Sequence, residues 1–233
     1  MKKPNKSLFY QAFLVTIPVL LGYLTIGFAF GLLLNKAGYS WYIATLMSIL
    51  IYAGAGQYIA VGLFTSNASF FEIATVILLV NSRHMVYGLS LFKKFLNTGW
   101  MKPYLIFALT DETYGLLTTI EIPAGINTKH YYFTISILNQ SYWIFGSFFG
   151  ALIGDFLTVD TAGLDFALTA LFVVLLIEQF KACKAKLPFL IALCCGLPAA
   201  FFLQKNSMLL IAILLSILVL IFFRKRIQIN AAD

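Results

Sequence analysis

Eight apolar runs joined by short polar connections make up most of the chain: roughly 10–34, 41–64, 71–92, 103–120, 131–154, 166–180, 187–203 and 207–223. Each run is continuous rather than alternating, which predicts helices and argues against barrel strands. Six approach the ~20 residues that a membrane-crossing helix requires. Two do not fit. Run two contains "IYAGAGQYIAVGLF" (residues 51–64), with Gly54, Ala55, Gly56 and a lone amide, Gln57, at its centre. Run six, "FALTALFVVLLIEQF", is short and ends in Glu178 and Gln179. Glycine loosens a helix, and an amide in hydrocarbon is costly unless something bonds it. Broken backbone at membrane depth is tolerated only where it is buried in protein or lines a wet cavity. The alternative is that Gly54 and Gly56 simply let another helix approach.

Composition changes the picture only by strengthening it. The chain is 61% hydrophobic and 11% charged over 233 residues, with mean hydropathy +0.91. This is too apolar for a water-soluble fold and leaves no room for a soluble domain. The expectation is a single all-α, polytopic transmembrane domain over 1–233, with 6–8 membrane segments and halves at about 1–125 and 126–233. The net charge of +7 comes from short basic clusters between the apolar runs, as membrane topology demands, and not from a nucleic-acid-binding surface. Cys183, Cys194 and Cys195 show no CxxC and no metal-ligand spacing, so no disulfide, metal or cofactor is expected. The basic N-terminus leads into an apolar run without a prompt small-residue cleavage site. It reads as a retained first membrane helix.

The halves echo one another. "GFAFG" (27–31) in run one and "GSFFG" (146–150) in run five are each followed by a loop, an apolar run and a glutamine, Gln57 or Gln179. If all eight runs span with the N-terminus in the cytoplasm, Lys93, Lys94 and Lys102 fall on the wrong side for the positive-inside rule. If runs two and six re-enter instead, that cluster moves inside, Lys129 moves out, and the halves become inverted repeats. Each repeat then holds one broken or re-entrant segment, which is the sequence pointer to a carrier's binding site. The small-xxx-small pairs alone also arise from close helix packing.

The intramembrane polar residues supply candidate chemistry. Run three carries Asn81, Arg83 and His84 in "LLVNSRHMVYGLSLF", with Asn81, His84 and Gly88 on one face and Arg83 and Tyr87 on a neighbouring stripe. An arginine there needs a carboxylate, carbonyls or water. Run four offers Asp111 and Glu112 in "ALTDETYG": one carboxylate can pair with Arg83 while the other faces a cavity. Asn139 and Gln140 in run five complete the set. The candidate substrate-binding residues are therefore Gly54, Ala55, Gly56, Gln57, Asn81, Arg83, Asn139 and Gln179. The candidate proton-coupling residues are His84, Asp111 and Glu112. Each has a structural alternative: an ion pair for Arg83, a packing role for His84, a hydrated interface for the carboxylates.

In "GYLTIGFAFG", "YAGAGQYIAVGLF", "EIATVILLVNSRHMVYGLSL", "ALTDETYG" and "LDFALTALFVVLL", taken in succession, the chain resembles the AzlC-type branched-chain amino acid permeases. Ala55 stands where such motifs often carry serine. The resemblance implies export of leucine, isoleucine and valine, and of methionine as a further substrate. It also implies energy from the proton gradient, a cell-membrane location and a small AzlD-type membrane subunit as partner. No Walker motif is present, so ATP does not drive the process directly. A channel for a small solute is the rival reading. An intramembrane hydrolase built on Ser90 and His84 lacks the G-x-S-x-G elbow.

Overall fold

A computed structural model describes residues 7–66, 68–123, 125–156, 186–202 and 205–223, together with Val173, Leu176, Ile177, Phe180 and Lys181. The described residues are helical, with no strand among them. The helices are α1 (Leu8–Lys36), α2 (Trp41–Leu50), α3 (Gly54–Thr65), α4 (Phe70–Asn81), α5 (Arg83–Leu91), α6 (Lys102–Phe107), α7 (Asp111–Thr119), α8 (Thr128–Phe156), α9 (Leu187–Phe202) and α10 (Lys205–Phe222). Helix α1 is long and apolar enough to cross a bilayer unaided. Helix α8 has the same 29-residue length but buries Ser136, Asn139, Gln140 and Ser147. Large apolar side chains such as Leu21, Leu50, Phe70, Met85 and Phe145 stand exposed, a surface that lipid rather than water satisfies.

Three apolar runs are interrupted, where one was expected in this half. Run two breaks at residues 51–53, just ahead of the glycines, so that Gly54 and Gly56 open α3 instead of separating two pieces. Run three pauses at Ser82, between α4 and α5. Run four, expected to be one helix, breaks at 108–110. The reason is local: the Thr110 side chain accepts from the backbone N–H of Thr113 at 3.2 Å, and Asp111 and Glu112 occupy the first turn of α7. A threonine cap followed by two acids is a helix start. Of the short run six only Val173, Leu176, Ile177 and Phe180 are described, and Glu178 and Gln179 lie outside the described residues.

The chain divides into two compact units, one of residues 1–58 and 81–160, the other of 59–80 and 161–233. This division does not follow the sequence halves, because α1 of the first half and α8 of the second belong to one unit. In that unit α1 and α8 pack along each other, and α2 and α7 each pack against both of them. Its apolar core joins Ala12, Leu91, Phe95, Leu105, Leu117 and Ile135. In the second unit α9 packs against α10.

Two of the glycine motifs explain the helix pair. A Cβ on Gly31 would land on the backbone of Ser147 and Ala151, and one on Gly150 would land on the backbone of Phe28. A Cβ on Gly27 would meet the Trp143 carbonyl oxygen at 3.1 Å. The helices are thus in backbone contact, the close approach that small residues permit where lipid gives no hydrophobic drive. We expect Gly150→Ala to lower the thermal midpoint of the detergent-solubilised protein sharply. Gly22→Ala on the same helix α1, with nothing within 4 Å of the added methyl, should be neutral or raise stability by about 0.5 kcal/mol. Equal effects of the two would refute the contact.

Candidate functional site

The two helix breaks of the first unit face each other. Helix α2 stops because Ile51 and Tyr52 both direct their N–H groups at the Met47 carbonyl, and Tyr52 then takes a left-handed conformation, φ +43°. That region normally belongs to glycine, and a bulky side chain there stores strain that the surroundings must hold. The Tyr52 ring is held by Phe107, the last residue of α6, with centroids 6.4 Å apart, and edge-on by Tyr23 of α1 at 6.5 Å. Its hydroxyl lies beside those of Thr113 and Tyr23. The hydroxyl is buried and has no well-formed hydrogen bond.

Gln57 secures the first break. Its Oε1 accepts from the Ala53 backbone N–H at 3.2 Å and from Trp143 Nε1 at 2.9 Å, while its Nε2 donates to Ser48 Oγ at 3.3 Å. It reaches back over the start of α3 as the glutamine of a capping box does. The lone amide of run two is therefore fully buried and engaged with protein, tying α2, α3 and α8 together. The Trp143 ring lies 3.3 Å from where a Gly54 methyl would stand, and the Asn81 amide abuts Gly56 in the same way. Gln140, beside Asn139, donates to the Ile49 carbonyl at 3.1 Å and accepts from Tyr104 at 2.7 Å. It thereby satisfies one carbonyl that the end of α2 leaves open.

At the second break a chain of hydroxyls begins. The Tyr23 hydroxyl lies 2.6 Å from Thr110 Oγ1 and 2.6 Å from Glu112 Oε2. Thr110 Oγ1 is 2.9 Å from Thr113 Oγ1, which accepts from Asn139 Nδ2 at 3.0 Å. The other amide atom, Asn139 Oδ1, is buried without a partner. Glu112 itself is exposed at the residue level, so one carboxylate connects the outside of the unit to a buried polar cluster.

The other acid behaves differently. Arg83 Nη1 pairs with Asp111 Oδ2 at 2.9 Å, both side chains about a third exposed, and the Tyr87 hydroxyl donates to Asp111 Oδ1 at 2.6 Å. His84 lies edge-on to Tyr87, centroids 5.8 Å apart. Of the residues singled out in the sequence, Gly54, Gly56, Gln57, Asn81, Arg83, Asp111, Glu112 and Asn139 thus gather around the two breaks, His84 stands one side chain further out, and Ala55 sits in the first turn of α3. Gln179 lies outside the described residues. Sequence reasoning missed Tyr23, Tyr52, Thr110, Thr113 and Trp143. Only the "TDET" cap carried a signal that would have found part of that set.

The AzlC protein family matches residues 18–157, a stretch that holds every residue of this cluster. A branched-chain amino acid transport protein, AzlC, of Bacillus subtilis (strain 168) is 32% identical over 94% of this chain and 87% of its own. The chain belongs to the AzlC family. An uncharacterized membrane protein of Helicobacter pylori (strain ATCC 700392 / 26695) is 45% identical over 94% of this chain and 96% of its own. The inner membrane protein YgaZ of Escherichia coli (strain K12) is 27% identical over 76% of each chain. No solved structure matches. An all-helical AzlC member whose relatives are named membrane proteins is itself placed among membrane proteins, in keeping with its apolar helices.

Removing the Thr110 hydroxyl should cost the cap. Thr110→Val is expected to destabilise the protein by about 1 kcal/mol or more, and Thr110→Ser to be near neutral, in denaturant or thermal unfolding in detergent. Asp111→Asn strips Arg83 of its counter-charge. Its cost should fall between the about 1 kcal/mol of an exposed pair and the about 3 kcal/mol of a buried one, and Arg83→Met in the Asp111→Asn background should recover part of it.

Proposed function

We propose that this AzlC-family protein is a secondary carrier that exports branched-chain amino acids (leucine, isoleucine, valine and also methionine) across the cell membrane in exchange for protons. The observation that carries the reading is the convergence of two half-helix N-termini, α3 and α7, on a buried Tyr52 hydroxyl and a buried Asn139 oxygen that lack protein partners. Buried polar atoms without partners are rare and ask for a ligand or water. The substrate name comes from the Bacillus subtilis relative.

An amino acid zwitterion fits this arrangement group by group. First-turn amides have no acceptor within their own helix, so those of Gly54, Ala55 and Gly56 suit the carboxylate. Asn139 Oδ1 and the Glu112 carboxylate suit the ammonium. The rings of Tyr52, Phe107 and Trp143 suit an aliphatic side chain. Gln57 and Asn81 brace the glycine turn, and Arg83 balances the nearby acids. Proton coupling belongs to Glu112, with Asp111 and His84 as its titratable neighbours. In this reading the two halves are inverted repeats, supported by the mutual packing of their glycine motifs in α1 and α8. In sequence order Gln179 answers in the second half to Gln57 in the first. The N-terminus is cytoplasmic, and a small AzlD-type subunit completes the assembly.

The test is counterflow of labelled leucine in proteoliposomes, with and without the small subunit. Saturable exchange supports a carrier, and unitary conductance steps without saturation would replace it with a channel. Asp111→Asn and His84→Ala are expected to abolish proton-driven export while the protein stays in the membrane. Wild-type export in both would remove these two from the coupling.

A further inference from the structure

The cluster contains a hydrogen-bond chain whose direction is fixed by counting donors. Each hydroxyl has one hydrogen. Tyr23 touches both Glu112 Oε2 and Thr110 Oγ1 at 2.6 Å, and Thr110 touches Thr113 at 2.9 Å. Two oxygens that close need a hydrogen between them. When Glu112 is a carboxylate, Tyr23 must donate to it. Thr110 must then donate to Tyr23, and Thr113 to Thr110. All hydrogens run toward Glu112, and the Thr113 lone pairs are left for Asn139 Nδ2 and for a ligand. When a proton sits on Glu112 Oε2, the order reverses: Glu112 donates to Tyr23, Tyr23 to Thr110, Thr110 to Thr113, and the Thr113 hydrogen turns off the end of the chain. The proton stays on Glu112; the hydroxyls only rotate.

We propose that this Tyr23–Thr110–Thr113 relay makes the proton and the substrate's ammonium group compete for the site, with Tyr23 the positioning residue that couples them. The inference rests on the carrier reading above. In the carboxylate state Thr113 keeps a lone pair free, and with the unpartnered oxygen of the Asn139 amide that touches it this makes an acceptor pair for an ammonium. In the protonated state Thr113 accepts from Thr110 and turns its own hydrogen into the space that the ammonium would fill. Loss of the Glu112 charge weakens ammonium binding in the same direction. Mutually exclusive binding is what exchange of a proton for an amino acid requires, and linkage makes the effect reciprocal. The other charged or titratable groups near Glu112 are Asp111 on its own helix, Arg83, His84 and Tyr87 of α5, Tyr23 of α1 and Tyr52 between α2 and α3. Of these, Asp111 is already held by Arg83 and Tyr87 and takes no part in the relay.

The experiment measures half-saturation of labelled-leucine counterflow against pH for the full chain in proteoliposomes. For wild type it should rise as pH falls, by up to about tenfold per pH unit for one competing proton. Tyr23→Phe and Thr113→Val should flatten that slope several-fold, and Thr113→Ser should restore it. Glu112→Gln, which has no charge and no titrating proton at this position, should make the half-saturation independent of pH. Glu112 is exposed, so this variant decides the matter if the buried ones do not fold. A wild-type slope in Tyr23→Phe or Glu112→Gln overturns the relay, as does a flat wild-type profile. Absence of any counterflow in wild type overturns the carrier reading itself.

Discussion

Everything in the first unit depends on the backbone contact between α1 and α8. Without lipid-driven hydrophobic association, helices in a bilayer hold together by close packing and by polar groups that find partners. The glycines of α1 and α8 let the two axes approach until a methyl would strike the opposing chain. That approach puts Tyr23 edge-on to Trp143 at 5.4 Å, Trp143 onto Gln57 and Asn139 onto Thr113. A wider spacing would separate these pairs and leave the helix breaks with unsatisfied groups.

The breaks are the second constraint, and each is closed by a different device. At 51–53 an amide four residues into the next helix reaches back to the loose N–H, and a second amide, Gln140, takes a loose carbonyl. At 108–110 a threonine hydroxyl does the capping and remains free to bond outward to Tyr23. The first device locks backbone; the second links backbone geometry to a carboxylate. The strained Tyr52 sits between them, and its hydroxyl, with Asn139 Oδ1, is what the two devices leave unpaired.

The two acids that adjoin in sequence separate in their contacts because adjacent helical residues diverge by about 100°. Asp111 turns to Arg83 and Tyr87 and forms a closed structural pair. Glu112 turns to Tyr23 and remains reachable from outside. The cost of an arginine among apolar runs is thus met locally, and the second carboxylate is left available to change its charge.

By itself the sequence determined the all-helical class, the loosening around residues 51–57, the recurrence of small residues in "GFAFG" and "GSFFG", and most of the polar residues that gather in the cluster. Those features are local: hydropathy, glycine spacing and single polar residues in apolar runs each carry their physical meaning without a partner. The break at Thr110 was also written locally, in a cap followed by acids, but the surrounding apolar run masked it. Tertiary structure alone decided that Gln57 braces protein, that Asp111 and not Glu112 takes Arg83, and that Tyr23, Tyr52, Thr113 and Trp143 belong to the site. A tyrosine or threonine in a membrane helix faces lipid, a neighbour or a cavity with equal ease. Which one it meets depends on how closely two distant helices approach, and no residue encodes that distance alone.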